Sequence, residues 1–156
     1  MNDNSQLLPC VMIPVTDRQL LLPNVSIAEV VDYAGAEPAE GDNRPEWLVG
    51  TLNWRGQALP VISYDAANGG QQALPASTRG RIAVLNTIGE HHARLPFLAL
   101  VTQGIPSQAR LAEDQMRAIE ATHGPADLMA VDVEGHTAYI PNLEYLESLA
   151  LETLAR

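Results

Sequence analysis

Short apolar runs separated by Gly, Pro and polar turns follow one another along most of this chain. Each run is rich in Leu, Val and Ile and is too short for a buried helix, which indicates strands. Small barrels are favoured over one large sandwich, because the strands are short and are interrupted by Gly and Pro. The pattern predicts a mainly β fold with strands at 7–15, 47–54, 57–64, 81–88, 94–101, 128–133 and 136–140.

A few helices are predicted between and after the strands. The segment 26–30 can form a short helix, and helical spacing of apolar residues predicts a longer one at 111–124. A closing helix should begin after Asn142, which suits the N-cap position. One face of that helix would carry an apolar stripe made of Leu143, Leu146, Leu149, Ala150 and Leu154.

Glycine-containing turns and one long loop organise the strands. The pairs Arg55-Gly56 and Glu134-Gly135 each predict a tight hairpin turn, because Gly readily takes a positive φ. The segment 66–80 is rich in small and polar residues and is interpreted as a surface loop. We therefore predict a single domain over 1–156 with two β-rich halves that meet in this loop.

Composition and charge exclude several classes of function. The chain has no Lys and a net charge of −10, which opposes binding to nucleic acid or to an anionic membrane surface. Its single cysteine, Cys10, cannot form an internal disulfide, which suits a reducing compartment. The sequence shows neither a signal peptide nor an apolar stretch long enough to span a bilayer. A soluble, acidic, cytoplasmic protein is expected.

The residue types that carry catalysis or bind metals do not form a recognisable set. His91 and His92 fall in a predicted hairpin turn without partners at metal-ligand spacing, and Cys10 lies inside an apolar strand. Nothing resembles a phosphate-binding loop or a nucleophile elbow. We expect no catalytic residue, no metal and no cofactor. A small enzyme that uses His91 or His136 with a nearby carboxylate is the alternative.

The stretch from Pro45 to Ile62 is the most specific motif in the chain. It reads P-x-W-L-V-G-x-L-N-W-R-G-x-x-L-P-V-I, with Arg55 as a lone cation in the most hydrophobic stretch. This motif resembles the signature of the CheW-like domain family, without a gap. Weaker resemblance continues through the early segment, the second-half hairpin and the closing strand and helix.

The resemblance implies a fold, a function and a set of partners. CheW-like domains consist of two small five-stranded SH3-like β-barrels and have no active site. They act as adaptors that couple methyl-accepting chemoreceptors to the regulatory domain of a CheA-type histidine kinase, and other CheW-like proteins are further possible partners. A β-barrel interaction module outside chemosensory signalling is the other alternative.

Departures from the family pattern suggest an accessory member. Gln103 stands before Gly104 where the family usually has Asp, Pro141 stands where it often has Asp, and Lys is absent. Accessory members occur in chemosensory systems that control type IV pili and twitching motility, and this chain resembles that group (the ChpC type).

Six residues are the expected partner-binding positions. The resemblance places Arg55 and Gly56 at a turn whose integrity is needed for coupling, and the turn can either shape the scaffold or contact a partner. An exposed Trp beside it would anchor an interface, whereas a buried one would belong to the core. An apolar seam between the halves is expected to accept a receptor segment. The positions are Asn53, Trp54, Arg55, Gly56, Val30 and Val31.

Overall fold

Two curled β-sheets form the body of the protein. The computed structural model describes residues 7–16, 18–38, 44–75, 78–89, 92–121 and 124–154. Each sheet has six strands. The mainly β architecture predicted from the apolar runs is therefore confirmed, and the described residues form twelve strands.

The central sheet is built from one continuous part of the chain, residues 27–102. Its spatial order is β3-β7-β8-β6-β5-β4, and all neighbours are antiparallel except β6 and β8. Its strands are β3 (Ile27–Asp32), β4 (Ala36–Pro38), β5 (Leu48–Trp54), β6 (Gln57–Ile62), β7 (Arg81–Asn86) and β8 (Phe97–Thr102). A short helix, α1 (Tyr64–Ala67), follows β6 and is capped by the Ser63 side chain.

The terminal sheet combines the beginning and the end of the chain. Its order is β10-β11-β12-β2-β1-β9, and the one parallel contact joins β12 to β2. Its strands are β1 (Leu8–Pro14), β2 (Gln19–Pro23), β9 (Ser107–Leu111), β10 (Met116–Ile119), β11 (Asp127–Val133) and β12 (His136–Pro141). The chain then ends in the helix α2 (Leu143–Leu154).

The two sheets have the same connectivity in circularly permuted form. In the central sheet the chain order is β3, β4, β5, β6, β7, β8; in the terminal sheet it is β9, β10, β11, β12 and then β1, β2. Short 3-10 turns follow β3 and precede β10 at matching places, and a capped helix follows both β6 and β12. The molecule is thus an internal structural repeat that shows no exact repeat in sequence.

The division between the sheets differs from the predicted one. The loop 66–80 leads from α1 to β7, and both β6 and β7 belong to the central sheet. The chain changes sheet after β2 and again after β8. Loop composition marks a surface connection but carries no information about which strands pair across it, and this explains the error.

Both predicted interior helices are wrong in part or in whole. The segment 26–30 is mostly strand, because β3 pairs with β7 over its length. The segment 111–124 contains a 3-10 turn, Glu113–Gln115, followed by β10, which pairs with β11. Short stretches with helical spacing are readily overridden by cross-strand pairing. His123, predicted at the end of that helix, lies outside the described residues.

Three apolar clusters stabilise the fold. The largest lies between the sheets and takes residues from β1, β2, β6, β7, β8 and α2; the other two fill the interiors of the central and the terminal sheet. Helix α2 begins as predicted: Asn142 Oδ1 accepts the backbone N–H of Tyr145 at 3.2 Å. Leu146 and Ala150 of its apolar stripe are fully buried against both sheets.

Helix α2 is also fixed by a buried carboxylate. Glu147 is 2% exposed, and its two oxygens accept the backbone N–H groups of Ile88 at 2.7 Å and Gly89 at 2.9 Å. The loop that leads out of β7 is thereby attached to the last helix. The C-terminal helix of the described chain thus connects the terminal sheet, which it follows, to the central sheet.

Candidate functional site

The Arg55-Gly56 turn joins β5 to β6 and has both residues at positive φ, 48° and 79°. Two consecutive positive φ values are typical of the tight turn that suits the twist of a two-residue hairpin. The sequence predicted this for Gly56 but not for Arg55, a residue type that rarely takes this conformation. Space around Gly56 is open, since nothing lies within 4 Å of where a Cβ would stand.

Side-chain contacts stabilise Arg55 in this unusual conformation. Its guanidinium carbon lies 4.5 Å from the centroid of the Trp54 ring, and Nη2 lies 3.5 Å from Glu29 Oε1. An exposed ion pair and a cation–π contact each contribute about 0–1 kcal/mol. The Arg55 side chain still keeps 68% of its surface exposed, so the braced cation faces solvent.

Trp54 lies beneath the turn and belongs to the core of the central sheet. It is 6% exposed, and its ring contacts Phe97 edge-on with a centroid distance of 4.8 Å. Its indole N–H donates to Glu29 Oε1 at 2.8 Å. Three strands separate β3 from β5 in the sheet order, so this bond joins two strands that only curling brings together. Trp54 therefore supports the turn and offers no exposed ring to a partner, and Trp47 is likewise buried.

Glu29 is the residue of this site that the sequence reasoning missed. It accepts from both Trp54 and Arg55 and thereby links the turn to β3. The available signal was a single carboxylate inside the apolar segment Val25–Val31. A charged residue in such a segment usually has a partner, yet nothing local indicated that the partner follows 25 residues later.

The remaining predicted residues divide between two faces. Asn53 is exposed on β5 opposite Ala58, next to the turn. Val31 pairs with Ile82 and packs into the interior of the central sheet. Val30 pairs with Ala83, which belongs to the core between the sheets, and it is 39% exposed. Directly paired residues share a face, so the two valines point in opposite directions and only Val30 is exposed beside the seam.

A second polar cluster connects the two sheets around Asp127 at the start of β11. Its carboxylate pairs with Arg18 and accepts from Tyr64 Oη at 2.6 Å and from Asn68 Nδ2 at 2.9 Å. The backbone N–H of Gly124 adds a further bond at 3.0 Å. Tyr64 is the first residue of α1, which follows strand β6 of the central sheet, and Asn68 comes directly after that helix. Asp127 is the first residue of β11 in the terminal sheet. The buried carboxylate therefore fixes one sheet relative to the other.

The pKa values of this cluster follow from its contacts. Burial alone would raise the pKa of Asp127, but the hydrogen bonds from Tyr64, Asn68 and the Gly124 backbone, together with the Arg18 charge, outweigh burial and lower it. Burial and the bond to Asp127 raise the pKa of the Tyr64 hydroxyl far above its usual range. At neutral pH Asp127 is therefore ionised and accepts hydrogen bonds, and Tyr64 is protonated and donates one.

A polar cleft of about 570 Å³ opens beside this cluster, lined among others by Thr16, Arg18, Tyr64 and Asn68. Thr16 Oγ1 donates to Asp65 Oδ2 across its mouth at 2.9 Å. Both of its charged residues are engaged: Asp65 accepts from Thr16, and Arg18 pairs with Asp127 and also lies 3.9 Å from the Tyr139 ring centroid. We therefore interpret this cleft as part of the contact between the two sheets and not as a ligand site.

The residues weighed for catalysis are scattered. His136 is exposed at the start of β12, and His92 Nδ1 lies 2.8 Å from Thr87 Oγ1; His91 lies outside the described residues. Cys10 is buried, and burial raises the pKa of its thiol. Within the described ranges no group of three or more His, Cys, Asp or Glu could hold a metal ion. The part of the chain that the structure describes also contains no helix long and apolar enough to cross a membrane.

Two curled sheets that share one core and carry the Arg55-Gly56 turn define a two-sheet β domain. The model of the CheW-like domain family matches residues 9–149, and the chain belongs to this family. The crystal structure of the scaffolding protein TtCheW from Thermoanaerobacter tengcongensis is similar in fold, with a TM-score of 0.72 at 16% identity, over 92% of this chain and 89% of that one. No curated protein gives a significant match.

Proposed function

We propose that this protein is a non-enzymatic, cytoplasmic adaptor that couples chemoreceptors to a CheA-type histidine kinase. Membership of the CheW-like family and a fold shared with a scaffolding protein support this role. The observation that carries the proposal is the braced turn. Arg55 is held by Trp54 and Glu29 yet exposes most of its side chain, an arrangement that suits recognition by another protein.

The kinase regulatory domain is the partner proposed for the Arg55 turn. The exposed guanidinium, one of whose N–H groups is directed at Glu29, presents its remaining donors in a fixed fork to an acceptor on that domain. Asn53 and Gly56 border the same surface, and the open space around Gly56 lets a partner approach the backbone closely. Trp54 contributes by keeping the turn in position. Other CheW-like proteins can use the same surface.

The receptor is the partner proposed for the region around Val30. This valine is exposed at the edge strand β3, on the face of the central sheet that packs against the terminal sheet. An apolar side chain of a receptor segment would extend the shared core at this point. Val31 supports this surface from the interior side and makes no contact with the receptor.

Control of type IV pili is the pathway that we propose. It is suggested by Gln103 and Pro141 at positions where the family usually carries Asp, and by the absence of Lys. Deletion of the gene should impair twitching motility and leave flagellar swimming unchanged. A swimming defect without a twitching defect would contradict the pathway and leave the coupling role intact.

Binding to a purified CheA-type regulatory domain, measured by isothermal titration calorimetry, tests the coupling role directly. The wild-type protein should bind, and Arg55→Ala should weaken binding while the exposed Arg94→Ala, in a loop of the central sheet, should not. Failure of the folded wild-type protein to bind both the kinase domain and a receptor tip would overturn the proposal. The domain would then be an interaction module outside chemosensory signalling.

A further inference from the structure

The internal repeat gives the Arg55 cluster a counterpart in the terminal sheet. In the hairpin turns, Trp54 pairs with Gln57 just as Val133 pairs with His136. The β7–β8 and β1–β2 hairpins match in register, and so do the strands that flank them, β3 and β9. The correspondence assigns Glu29 to Ser107, Phe97 to Gln19, Trp54 to Val133 and Arg55 to Glu134.

These four counterparts line a cavity of about 510 Å³. In the central sheet the matching space is filled by the Trp54 indole, packed on the Phe97 ring and bonded to Glu29. In the terminal sheet a valine replaces the indole and a glutamine replaces the phenyl ring. The floor of the cavity is completed by apolar side chains of β1 and β9: Met12, Ala109 and Leu111.

We propose that this cavity binds an aromatic side chain of a partner protein whose next residue is basic. The aromatic part follows from the repeat, since a ring occupies the equivalent space in the central sheet. Gln19 and Ser107 provide polar atoms at the places of Phe97 and Glu29, and either can accept a ring N–H or O–H.

The basic neighbour follows from charge. Glu134 stands at the mouth of the cavity where the central sheet has Arg55, so the residue beside the ring must carry the opposite charge to that of Glu134. The Glu134 carboxylate accepts one bond from Gln115 Nε2 at 3.1 Å, and a carboxylate has room for further donors. The net charge of −10 favours a cationic partner segment as well.

The size of the cavity agrees with such an occupant. Pockets that enclose small ligands span roughly 300–1,000 Å³, and this cavity falls within that range. The chain's own Trp54 cannot be the occupant in a second copy, because it is 6% exposed and fixed in the central sheet. The site lies in the terminal sheet and does not depend on the proposed coupling function.

The test uses the dipeptide N-acetyl-Trp-Arg-amide as the probe, titrated into isotope-labelled protein and followed by NMR. We expect saturable shifts of the Ala109, Val133 and Met12 methyl signals. N-acetyl-Ala-Arg-amide should produce no shifts at these positions. N-acetyl-Trp-Glu-amide should bind about twofold to fivefold more weakly, the range that an exposed ion pair supplies. Equal binding of free indole would overturn the peptide proposal in favour of a small aromatic ligand.

Two filling variants keep the test decisive. Val133→Trp introduces the indole of the central sheet and should weaken binding by about tenfold or more. Ala109→Met fills the cavity from β9 and should do the same if the first variant fails to fold. Glu134→Arg should reverse the preference towards N-acetyl-Trp-Glu-amide. Absence of shifts in the wild-type protein, or undiminished binding by a folded filling variant, would overturn the proposal.

Discussion

Glu147 and Gly89 approach each other closely in the contact between α2 and the loop after β7. The Gly89 N–H donates to Glu147 Oε1 at 2.9 Å, and a Cβ at residue 89 would lie only 2.5 Å from that oxygen. The other oxygen accepts the Ile88 N–H. A carboxylate on α2 thus accepts two backbone N–H groups of the loop after β7, and each oxygen is used by one of them.

Glu147→Gln should therefore destabilise the protein even though it is nearly isosteric. The amide offers one oxygen, so its NH₂ group must face a backbone N–H, and a buried donor left without a partner costs about 1–3 kcal/mol. Urea denaturation gives the free energy of unfolding. Glu144→Gln, on the exposed face of the same helix, is the matched control and should change it little. Equal stability of the two variants would refute this role of Glu147.

Removal of the Glu29 carboxylate should loosen the curled central sheet. Glu29→Ala leaves the buried Trp54 N–H without its acceptor and should lower the free energy of unfolding by about 1–3 kcal/mol. Glu29→Gln keeps an acceptor oxygen and should retain most of the stability. Tryptophan fluorescence during urea denaturation, measured in a Trp47→Phe background so that Trp54 alone emits, reports on the site itself, with Glu37→Ala on β4 as an exposed control. If the two Glu29 variants are equally stable, the bond contributes nothing.

Arg55→Lys separates two roles of the cation. Lysine keeps the charge but loses the planar fork. If the kinase domain requires only the positive charge, Arg55→Lys should bind it although Arg55→Ala does not. If the planar guanidinium is required, neither variant should bind. We expect both to fail in calorimetry, because the guanidinium stacks on Trp54 and approaches Glu29 together. Their melting temperatures should stay close to that of the wild type, since the contacts are exposed. Wild-type binding by Arg55→Ala would show that the residue is not a contact.

Val30 and Val31 should differ although they are adjacent. Val31→Ser places a hydroxyl in the core of the central sheet and should cost about 1–3 kcal/mol of stability. Val30→Ser changes a partly exposed side chain and should leave stability nearly unchanged while weakening receptor binding. Urea denaturation and a receptor pull-down on the same two samples measure both effects. Undiminished receptor binding by Val30→Ser would remove β3 from the docking surface.

Stability should decline in acid in a manner that depends on Asp127. Its folded-state pKa is lowered from the ordinary value of 3.8, so the ionised carboxylate stabilises the fold above that value. The contribution is lost as the pH falls through the folded-state pKa. Asp127→Asn leaves Arg18 without its counter-charge and should cost roughly 3–5 kcal/mol at neutral pH.

The difference between wild type and Asp127→Asn should therefore shrink as the pH is lowered below about 4. Urea denaturation at a series of pH values measures this difference, and the exposed Asp114→Asn serves as the control. A difference that stays constant down to the acid limit of folding would contradict the lowered pKa.

Sequence reasoning succeeded where local chemistry decides the structure. Gly56 and Gly135 have the positive φ predicted for the two hairpin turns, and Asn142 caps the last helix. The alternation of apolar runs and turns was enough for the mainly β fold. The helix predicted at 111–124 was wrong, because the four-residue strand β10 in this segment forms only when β11 is there to pair with it.

The polar contacts between side chains could not be predicted from the sequence, because their partners are far apart along the chain. Glu147 meets Ile88 across 59 positions of sequence and Asp127 meets Tyr64 across 63. A side chain's own neighbours along the chain do not encode partners at that separation. Nothing in the sequence around Glu147 or Asp127 indicates that either carboxylate is buried and paired. The pairing of β1 with β9 and of β2 with β12 could not be predicted for the same reason.

The circularly permuted repeat sets an order for folding during synthesis. The hairpin β1–β2 is synthesised before the central sheet, whereas its neighbours β9 and β12 are synthesised after it. The central sheet, being continuous in sequence, can form before the terminal sheet has all its strands. Until β9 (Ser107–Leu111) has been synthesised, the apolar hairpin of β1 and β2 has no strand to join, and the edge of β2 stays unpaired until β12 is complete at residue 141. Unpaired strand edges of this kind invite aggregation.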